Sequence, residues 1–387
     1  MSSDTKTIAI LGSTGSIGQS TLDVIARCDG SFRAMALSAH ARLGPLMEQA
    51  KQVGPKWIVA TDEQEAARFD WSELPAETEL VIGQDGLQRV ASDEAIDVVV
   101  AAIVGSAGLQ STWAAIEAGK TIALANKETL VVAGELAMRR ASECGATVLP
   151  VDSEHSAVFQ ALRAGNHDEV ARIILTASGG PFRRHTLGQL QHVTVDEALA
   201  HPTWDMGPKI TVDSATMMNK ALEIIEARWL FGVDPDRIDV VIHPQSIVHS
   251  MVEFTDGSVL AQLSPPDMRL PIQYALTYPE RLPGPAKKLD LTEMMNLQFE
   301  PPDPDRFPAL ELGHEVAKAG GTAGAVFNAA NEAAVAGFLE GRLSFVEIVP
   351  ACRDILESHH FDPNPTLDEL LRLDAWAREE ISKWVCT

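Results

Sequence analysis

This 387-residue chain has neither closely spaced cysteines nor a long hydrophobic run. The four cysteines, Cys28, Cys144, Cys352 and Cys386, form no CxxC motif, which argues against a disulfide framework and a structural zinc site. We therefore expect a reducing, cytoplasmic compartment. The longest apolar run, 98–109, is shorter than the about 20 residues of a membrane-spanning helix, so we expect no membrane span. The amino terminus lacks the basic and apolar regions of a signal peptide, and we expect it to be uncleaved.

The chain also has fewer basic than acidic side chains. The chain has 54 acidic and 31 basic residues, which gives a formal net charge of −23. A charge of this sign repels polyanions, which argues against a nucleic-acid or anionic-lipid binder, so any anionic ligand must be small and locally held. Hydrophobic residues at 45% and charged residues at 22% are ordinary values for globular proteins. At about 150 residues per domain, the length predicts two or three folded domains.

The first part of the chain alternates short apolar runs with helical stretches. This pattern is typical of an α/β fold with a Rossmann-like, mainly parallel sheet. In such a sheet ligands bind at the carboxyl ends of the strands, so the residues that follow each run are candidates for function. The predicted strands are 7–11, 32–38, 57–60, 79–82, 97–103, 121–126 and 146–153.

The pattern changes after Asp152. Strand-like runs at 171–178, 238–243 and 248–254 accompany a helical stretch at 215–231, which predicts an α+β second domain of mixed sheet and helices. A proline-rich stretch then indicates an extended linker, and the Ala-rich remainder predicts a small C-terminal helical domain. The predicted domains are therefore 1–152, 153–278 and 309–387, with the linker at 279–308.

A nucleotide site is indicated by Gly12, Gly15 and Gly18, which form a GxxGxxG motif between the first predicted strand and a helical stretch. In this context backbone N–H groups and a helix amino terminus can face the pyrophosphate of a dinucleotide. A tight turn without a ligand is the alternative. The second strand ends in His40 and Arg42 where NAD-binding chains have an acid, and these side chains can neutralise a 2′-phosphate. This favours NADPH over NADH, unless Arg42 is only a solvated charge on the next helix.

A metal site is indicated by two acids, Asp152 and Glu154, at the point where the chain leaves the first domain. In an extended strand residues two apart point the same way, so both carboxylates can bind one hard cation such as Mg²⁺ or Mn²⁺. The same segment also suits a helix cap. A third oxygen ligand can come from Glu223 of the helical stretch 215–231, although the spacing equally allows Glu226.

A phosphate site is indicated by Asn219 and Lys220 on the same helical stretch and by Ser178 in a Ser-Gly-Gly-Pro segment. The alternative for the helix is an exposed surface with an ordinary Lys–Glu pair. Residues 201–208 form an irregular segment around Trp204, which a closing lid would explain. A loop tryptophan can equally be a packed anchor.

Seven segments, in order along almost the whole chain, resemble the 1-deoxy-D-xylulose 5-phosphate reductoisomerase family. They are GSTGSIG (12–18), LANKE (124–128), VDSEHSA (151–157), ASGGPF (177–182), HPTWDMG (201–207), VDSATMMNKALEIIEA (212–227) and NAANE (328–332). The chain departs from the family pattern at the second strand, where many members have Gly-Lys-Asn and this chain has His40-Ala41-Arg42. The departure concerns the contacts of the 2′-phosphate and not the cofactor class.

The resemblance implies an NADPH-binding domain at 1–152, a catalytic and dimerising domain at 153–278, and a homodimer. It also implies a divalent cation (Mn²⁺, Mg²⁺ or Co²⁺) and a phosphorylated sugar as substrate. The implied reaction isomerises 1-deoxy-D-xylulose 5-phosphate by retro-aldol cleavage and re-addition and reduces the product to 2-C-methyl-D-erythritol 4-phosphate, in the non-mevalonate isoprenoid pathway. Two other functions stay open on sequence grounds, a plain NADP-dependent dehydrogenase and a non-catalytic NADPH sensor.

Residue by residue, the resemblance implies contacts with cofactor, metal and substrate. The cofactor would be bound by Thr14, Gly15, Ser16, Ile17, Asn126, Glu128 and Gly207, beside His40 and Arg42. The metal ligands would be Asp152, Glu154 and Glu223. Lys127 and Ser153 would contact the hydroxyl and carbonyl end of the substrate, and its phosphate would be held by Ser178, Ser214, Asn219 and Lys220. His201 matches a further substrate position, and Trp204 and Met206 match the covering loop.

Overall fold

The structure is a computed structural model that describes residues 5–28, 30–204, 206–292 and 294–384, so Cys386 lies outside the described residues. Each strand predicted from the sequence is present, and β11 is an additional strand that the sequence pattern missed. The strands are β1 (Lys6–Leu11), β2 (Phe32–Ala39), β3 (Trp57–Ala60), β4 (Glu79–Ile82), β5 (Val98–Ala101), β6 (Thr121–Leu124), β7 (Thr147–Pro150), β8 (Val170–Ala177), β9 (Ile238–Ile242), β10 (Val248–Phe254) and β11 (Val259–Leu263).

Helices account for most of the remaining described chain. They are α1 (Ser16–Ala26), α2 (Leu43–Val53), α3 (Glu63–Arg68), α4 (Gly83–Ser92), α5 (Leu109–Glu117), α6 (Glu128–Cys144), α7 (Ser153–Ala161), α8 (Leu187–Leu190), α9 (Val195–Leu199), α10 (Pro208–Thr216), α11 (Met218–Phe231), α12 (Arg269–Thr277), α13 (Ala309–Ala319), α14 (Ala323–Leu339), α15 (Ile348–Ser358) and α16 (Leu367–Trp384). Among the described residues, no helix has both the length and the apolar composition that crossing a membrane requires.

Packing divides the chain into two compact units. Unit 1 consists of residues 1–129, 137–156 and 267–287, and unit 2 of residues 130–136, 157–266 and 288–387. The limits of these units differ from the domain boundaries that the sequence predicted at 278 and 308. The reason in unit 1 is that α12 packs against α1, where Arg269 is paired with Asp23 at 2.9 Å. The division into three domains and a linker itself stays a prediction.

Unit 1 contains a seven-stranded parallel sheet in the order β4-β3-β2-β1-β5-β6-β7. The strands β1, β3 and β5 are almost entirely apolar and mostly buried, as expected where helices cover both faces of a parallel sheet. The strand order reverses between β1 and β5, and ligands of such sheets bind at this switch point, outside the carboxyl ends of the strands. The predicted Rossmann-like fold is therefore confirmed.

Unit 2 contains a four-stranded mixed sheet in the order β11-β10-β8-β9, in which only β8 and β9 pair in parallel. A single hydrophobic core joins this sheet to the helices around it. It includes Ile173 and Leu175 of β8, Ile224 of α11 and Phe327 of α14, all fully buried. Because the C-terminal helices share this core, they belong to the same packing unit as the sheet. The expected α+β architecture with mixed strands is confirmed.

The helix expected at 215–231 is two helices in the structure. Met217 has a left-handed backbone conformation (φ 64°, ψ 9°), so α10 ends before it and α11 begins after it. A residue in this conformation cannot continue a right-handed helix. The prediction of one helix is therefore wrong. As a consequence Ser214 lies on α10, whereas Asn219 and Lys220 lie in the first turn of α11.

Candidate functional site

The glycine motif forms the tight loop between β1 and α1 in unit 1. Gly12 has φ +84°, and a Cβ on it would lie 2.7 Å from the carbonyl oxygen of Ala102. A Cβ on Gly18 would lie 2.4 Å from Cα of Ser13. The N-cap residue of α1 is Gly15, which has no side chain to cap the first turn, and the leading N–H groups of a helix have no partner within the helix. This geometry suits a phosphate, and the contact of Thr14, Gly15, Ser16 and Ile17 with a cofactor stays a prediction.

Arg42 lies against this loop, since its Nη1 donates to the carbonyl oxygen of Thr14 at 3.0 Å. His40 is exposed, with Nδ1 3.1 Å from Oγ1 of Thr61 and Nε2 3.7 Å from a carboxylate oxygen of Asp62. Backbone hydrogen bonds from the first turn of α3 hold the pKa of Asp62 below its usual value. Asp62 was not expected here from the sequence, because it follows β3 and not β2. Arg42 is therefore better placed than His40 to compensate an added phosphate.

Asn126 and Glu128 flank Lys127 in a buried turn between β6 and α6. The Nδ2 atom of Asn126 donates to the carbonyl oxygens of Ile103 and Gly105 at 2.6 and 2.9 Å and to Oε2 of Glu128 at 2.9 Å. These bonds fasten the segment that follows β5 to the start of α6. The direct contact of Asn126 and Glu128 with a cofactor stays a prediction.

Lys127 and Asp152 form a mostly buried ion pair in unit 1, with Nζ 3.0 Å from Oδ2. Asp152 directly precedes α7, and its Oδ1 accepts the backbone N–H of Glu154 at 3.2 Å. The expected extended geometry is therefore wrong, because Ser153 already begins a helix, and the helix-cap alternative is confirmed. Carboxylate oxygens of Asp152 and Glu154 nevertheless lie within 4.8 Å of each other.

The start of α11 in unit 2 brings together three of the residues expected from the sequence. The Glu223 carboxylate accepts hydrogen bonds from Nδ2 of Asn219, at 2.5 Å, and from the Lys220 ammonium. Glu223 and Lys220 are 0% and 3% exposed, so the alternative of an ordinary Lys–Glu pair on an exposed helix is wrong. Glu226 is also buried at 3% exposure, so burial does not distinguish it from Glu223.

The Ser178 loop abuts α10 in unit 2. Gly180 has φ +64°, and a Cβ on it would lie 2.8 Å from the carbonyl oxygen of Ser214. Glycine is required here by both the backbone conformation and the close approach. The Oγ atom of Ser178 accepts the N–H of Gly180 at 3.2 Å. The structure therefore places Ser178 and Ser214, two of the expected phosphate residues, on adjoining segments.

His201 links the expected lid segment to the same loop. Its Nδ1 accepts the backbone N–H groups of Thr203 and Trp204 at 3.1 and 2.9 Å. The proton of the neutral ring is therefore on Nε2, which donates to Oγ of Ser178 at 3.1 Å. Burial lowers the pKa of His201, and the two donors to Nδ1 favour the neutral ring as well.

The rest of the expected lid segment is partly packed. Trp204 is half-buried and meets the ring of His249 edge-on, with ring centroids 6.4 Å apart. Met206 is half-buried, Gly207 is the exposed residue before α10, and Asp205 lies outside the described residues. The contact of Trp204 agrees with the packed-anchor alternative, and the lid stays a prediction.

Three histidines to which the sequence assigned no role lie in the interior. Nδ1 of His155 is 3.9 Å from Oδ1 of Asp152 in unit 1. In unit 2, Nδ1 of His243 and Nε2 of His249 lie 2.8 and 3.1 Å from backbone carbonyl oxygens. All three rings are at most 5% exposed. The last two are satisfied interior groups.

A polar cluster of Lys209, Asp213 and Asn331 in unit 2 was not expected from the sequence. Asp213 and Asn331 are buried, and the Lys209 side chain is 19% exposed. The lysine and the aspartate are four residues apart, which is a contact distance on a helix. That signal was hidden because the sequence pattern placed the start of the helix at 215 and not at 208.

Each unit offers a different chemistry. Unit 1 offers a glycine loop with backbone N–H groups that suit a phosphate and, at the start of α7, two carboxylates beside the ammonium of Lys127. Unit 2 offers two hydroxyls on adjoining segments, together with the ammonium, amide and carboxylate at the start of α11. Hydroxyl, amide and ammonium donors suit a phosphate, and carboxylates suit a hard divalent cation.

Family models match three stretches of the chain. The model described as 1-deoxy-D-xylulose 5-phosphate reductoisomerase matches residues 8–134, and the model of its C-terminal domain matches residues 148–231. A further model, described as the DXP reductoisomerase C-terminal domain, matches residues 263–380. Together the three matches span most of the chain.

Whole proteins and solved structures of this kind are also similar. The 1-deoxy-D-xylulose 5-phosphate reductoisomerase of Pelotomaculum thermopropionicum is 53% identical, over 96% of this chain and 97% of that protein. The Anaeromyxobacter dehalogenans enzyme is 52% identical, over 98% and 97%. A structure of DOX-P reductoisomerase with NADPH, fosmidomycin and magnesium is 42% identical, with a TM-score of 0.92 over 98% of both chains. The Zymomonas mobilis enzyme with NADPH is 44% identical, with a TM-score of 0.92 over 98% and 99%.

Proposed function

The chain belongs to the 1-deoxy-D-xylulose 5-phosphate reductoisomerase family, and from this premise we propose how its own residues carry out the reaction. The enzyme converts 1-deoxy-D-xylulose 5-phosphate to 2-C-methyl-D-erythritol 4-phosphate with NADPH and a divalent cation. The observation that carries the residue assignment is the buried cluster of Asn219, Lys220 and Glu223, because burying such charges without a function is costly.

The β1–α1 loop is assigned to NADPH. A Cβ on Gly12 or Gly18 would clash with neighbouring backbone and displace the loop, so glycine at these positions fits a tight turn whose backbone N–H groups hold a pyrophosphate. The guanidinium of Arg42, which already contacts the loop, would pair with the 2′-phosphate. His40 would contribute less, because Asp62 faces it. Asn126, Glu128 and Gly207 complete the proposed cofactor contacts.

Asp152, Glu154 and Glu223 are assigned to the divalent cation. Carboxylate oxygens are the ligands that Mg²⁺ and Mn²⁺ prefer, and no sulfur or imidazole ligand is needed for such an ion. Two of the three acids occupy one short turn of unit 1, and the third is a buried carboxylate of α11. When bound, the cation supplies Lewis acidity toward the keto and hydroxyl oxygens of the substrate, and NADPH supplies hydride.

The remaining site residues bind and orient the substrate. The ammonium of Lys127 would neutralise negative charge that develops on the substrate oxygens. The Ser153 hydroxyl, which donates to Glu154 at 2.5 Å, would contact the same end of the substrate.

The phosphate end of the substrate is assigned to unit 2. Ser178, Ser214, Asn219 and Lys220 would hold the phosphate through hydroxyl, amide and ammonium donors. His201 would hold Ser178 in place through their hydrogen bond, and Trp204 and Met206 would cover the site and exclude water.

An NADPH-oxidation assay with 1-deoxy-D-xylulose 5-phosphate, with and without Mg²⁺ or Mn²⁺, tests this function. We expect turnover only with the cation and loss of turnover in Asp152→Asn, with NADPH binding retained. Turnover that persists in a chelator would instead indicate a plain NADP-dependent dehydrogenase. NADPH binding without any turnover would indicate a sensor.

We also propose that the enzyme is a homodimer that works in the cytoplasm. The edge strand β11 supports the dimer, because it exposes Val259, Leu260 and Leu263 at 47%, 39% and 40%. Edge strands with exposed apolar side chains favour pairing with another chain. Cys144 and Cys352, which form no disulfide within the described residues, agree with a reducing compartment.

A further inference from the structure

A buried polar cluster joins α10 to α14 in unit 2 and has no part in the chemistry described above. Oδ1 of Asp213 on α10 accepts a hydrogen bond from Nδ2 of Asn331 on α14 at 3.0 Å. Its other oxygen forms an ion pair with Nζ of Lys209, one turn earlier on α10, at 2.8 Å. Asp213 and Asn331 are both completely buried. The cluster therefore ties one helix to the other through a charged group that water does not reach.

This cluster is unfavourable by the ordinary criteria of stability. A buried carboxylate loses its hydration, and apolar residues of similar volume are often as stable or more stable than a buried ion pair. In addition, Oδ1 of Asn331 has no hydrogen-bond partner within the described ranges, and an unmade bond of a buried amide costs free energy. The hydrogen bond between these two side chains fixes the orientation of α10 relative to α14, because hydrogen bonds are directional and apolar packing is not.

The directional bond acts next to the proposed phosphate site. Asp213 directly precedes Ser214, and a Cβ on Gly180 would lie 2.8 Å from the carbonyl oxygen of Ser214 and 3.1 Å from Cα of Ala215. A rotation of α10 about its axis would therefore displace Ser214 and the loop that carries Ser178 together. The bond between Asp213 and Asn331 opposes that rotation.

We infer that Asp213 and Asn331 are positioning residues, which set the places of Ser214 and Ser178 for the phosphate group of the substrate. The inference rests on the proposed function, in particular on the assignment of Ser214 to the phosphate. It gives a role to the Asn-Ala-Ala-Asn-Glu segment at 328–332, which the catalytic chemistry leaves without one.

The same segment provides a matched control. Asn328 is also completely buried on α14, and its Oδ1 likewise has no hydrogen-bond partner in the part of the chain that the structure describes. Its Nδ2 donates to Glu332 of the same helix at 3.0 Å and not to α10. Glu332 in turn pairs with Arg378 of α16 at 2.7 Å. Replacing Asn328 therefore removes a similar group without releasing α10.

Steady-state kinetics of Asn331→Leu and Asn328→Leu test the inference. For Asn331→Leu we expect the KM for 1-deoxy-D-xylulose 5-phosphate to rise about tenfold, as for the loss of one hydrogen bond to a charged group. The KM for NADPH should stay unchanged. Both variants should lower Tm by similar amounts, because each removes a completely buried amide that donates a hydrogen bond. Asn328→Leu should leave the KM for the substrate unchanged.

Exchanging the amide and the carboxylate between positions 331 and 213 provides a second test of the inference if Asn331→Leu does not fold. Asn331→Asp places a second carboxylate against Asp213 and should raise the KM for the substrate. Adding Asp213→Asn restores a donor opposite a carboxylate, so the double variant should lower that KM again. A double variant as impaired as the single one would contradict the inference.

Ser214→Ala separates this inference from the proposed function. If Ser214→Ala raises the KM for the substrate and Asn331→Leu does not, the inference is overturned and the proposed function stands. Equal rises in KM for Asn331→Leu and Asn328→Leu would indicate general loosening of α14 and would also overturn it. If Ser214→Ala leaves the KM unchanged, the phosphate assignment fails and the inference fails with it.

Discussion

At the scale of single residues, the proposed site contains charged side chains that are held away from water. Lys127 is paired with Asp152 in unit 1, and Lys220 is paired with Glu223 in unit 2. Removing one partner of a buried pair costs about 3–5 kcal/mol of stability, whereas exposed pairs contribute about 0–1 kcal/mol. Substitutions at these lysines should therefore differ sharply from substitutions at surface lysines.

Lys220→Ala should raise the KM for 1-deoxy-D-xylulose 5-phosphate by about 10- to 100-fold, because a charge-assisted hydrogen bond to the phosphate is lost. Lys318→Ala is the matched control, since Lys318 forms an exposed ion pair with Asp236 in the same unit. Steady-state kinetics with NADPH held at saturation measure the difference. An unchanged KM in Lys220→Ala would remove this residue from the phosphate site.

The ring of His201 should be neutral at pH 7. Burial lowers its pKa below the ordinary histidine value of 6.5, so the folded chain binds this proton less readily than the unfolded chain does. The free energy of unfolding should therefore fall as the pH drops below 6.5. An NMR titration of the His201 ring measures the pKa directly, and a value at or above 6.5 would contradict the hydrogen-bond arrangement described for Nδ1.

The residue types of the proposed site could be predicted from the sequence. The local backbone conformation of these residues could be predicted only in part. Asn219, Lys220 and Glu223 meet as helical spacing predicts, because they share the first two turns of α11. Asp152 and Glu154 were expected on a strand, and the structure has them at a helix start. That difference arises because a carboxylate that accepts a backbone N–H begins a helix as readily as it follows a strand.

At the scale of secondary-structure elements, the residues of the proposed site are positioned by two sharp turns of the backbone. The β1–α1 turn was predictable because glycine spacing after an apolar strand is a local signal. The break between α10 and α11 was not, because Met217 is a poor candidate for a left-handed conformation. Its side chain is 3% exposed, and tertiary packing of this kind overrides local preference.

Gly18→Ala should weaken NADPH binding, because its Cβ would lie 2.4 Å from Cα of Ser13 and the loop would have to move. Gly188→Ala is the control. A Cβ on Gly188, in α8 of unit 2, would meet nothing within 4 Å apart from its chain neighbours, so this change should leave NADPH binding unchanged. Fluorescence titration with NADPH compares the two variants, and equal affinities would contradict the assignment of the β1–α1 loop to NADPH.

At the scale of the whole molecule, fold class followed from the sequence more readily than the division into packing units did. Alternating strands and helices are a periodic signal, and it predicted the parallel sheet of unit 1. The return of α12 to unit 1 rests on contacts such as Arg269 with Asp23, which are 246 residues apart. Contacts at such separations leave no periodic signal in the sequence.

Light scattering should give a mass of two chains of 41.7 kDa each. Leu260→Lys on β11 should shift the protein toward the monomer, because a charge on an exposed edge strand opposes pairing. Leu187→Lys, at a 54% exposed position on α8, is the control and should leave the mass unchanged. A dimer of equal affinity in Leu260→Lys would show that β11 is not in the interface.

The central claim is that Asp152, Glu154 and Glu223 together bind one divalent cation. Titration of the protein with Mn²⁺, followed by electron paramagnetic resonance, tests it most directly. We expect one tight site per chain, weakened at least about tenfold in Asp152→Asn, Glu154→Gln and Glu223→Gln, with NADPH affinity retained. Glu226→Gln, on the same buried helix, should bind Mn²⁺ like the parent protein. Unchanged Mn²⁺ affinity in the first three variants, or a loss only in Glu226→Gln, would contradict the account.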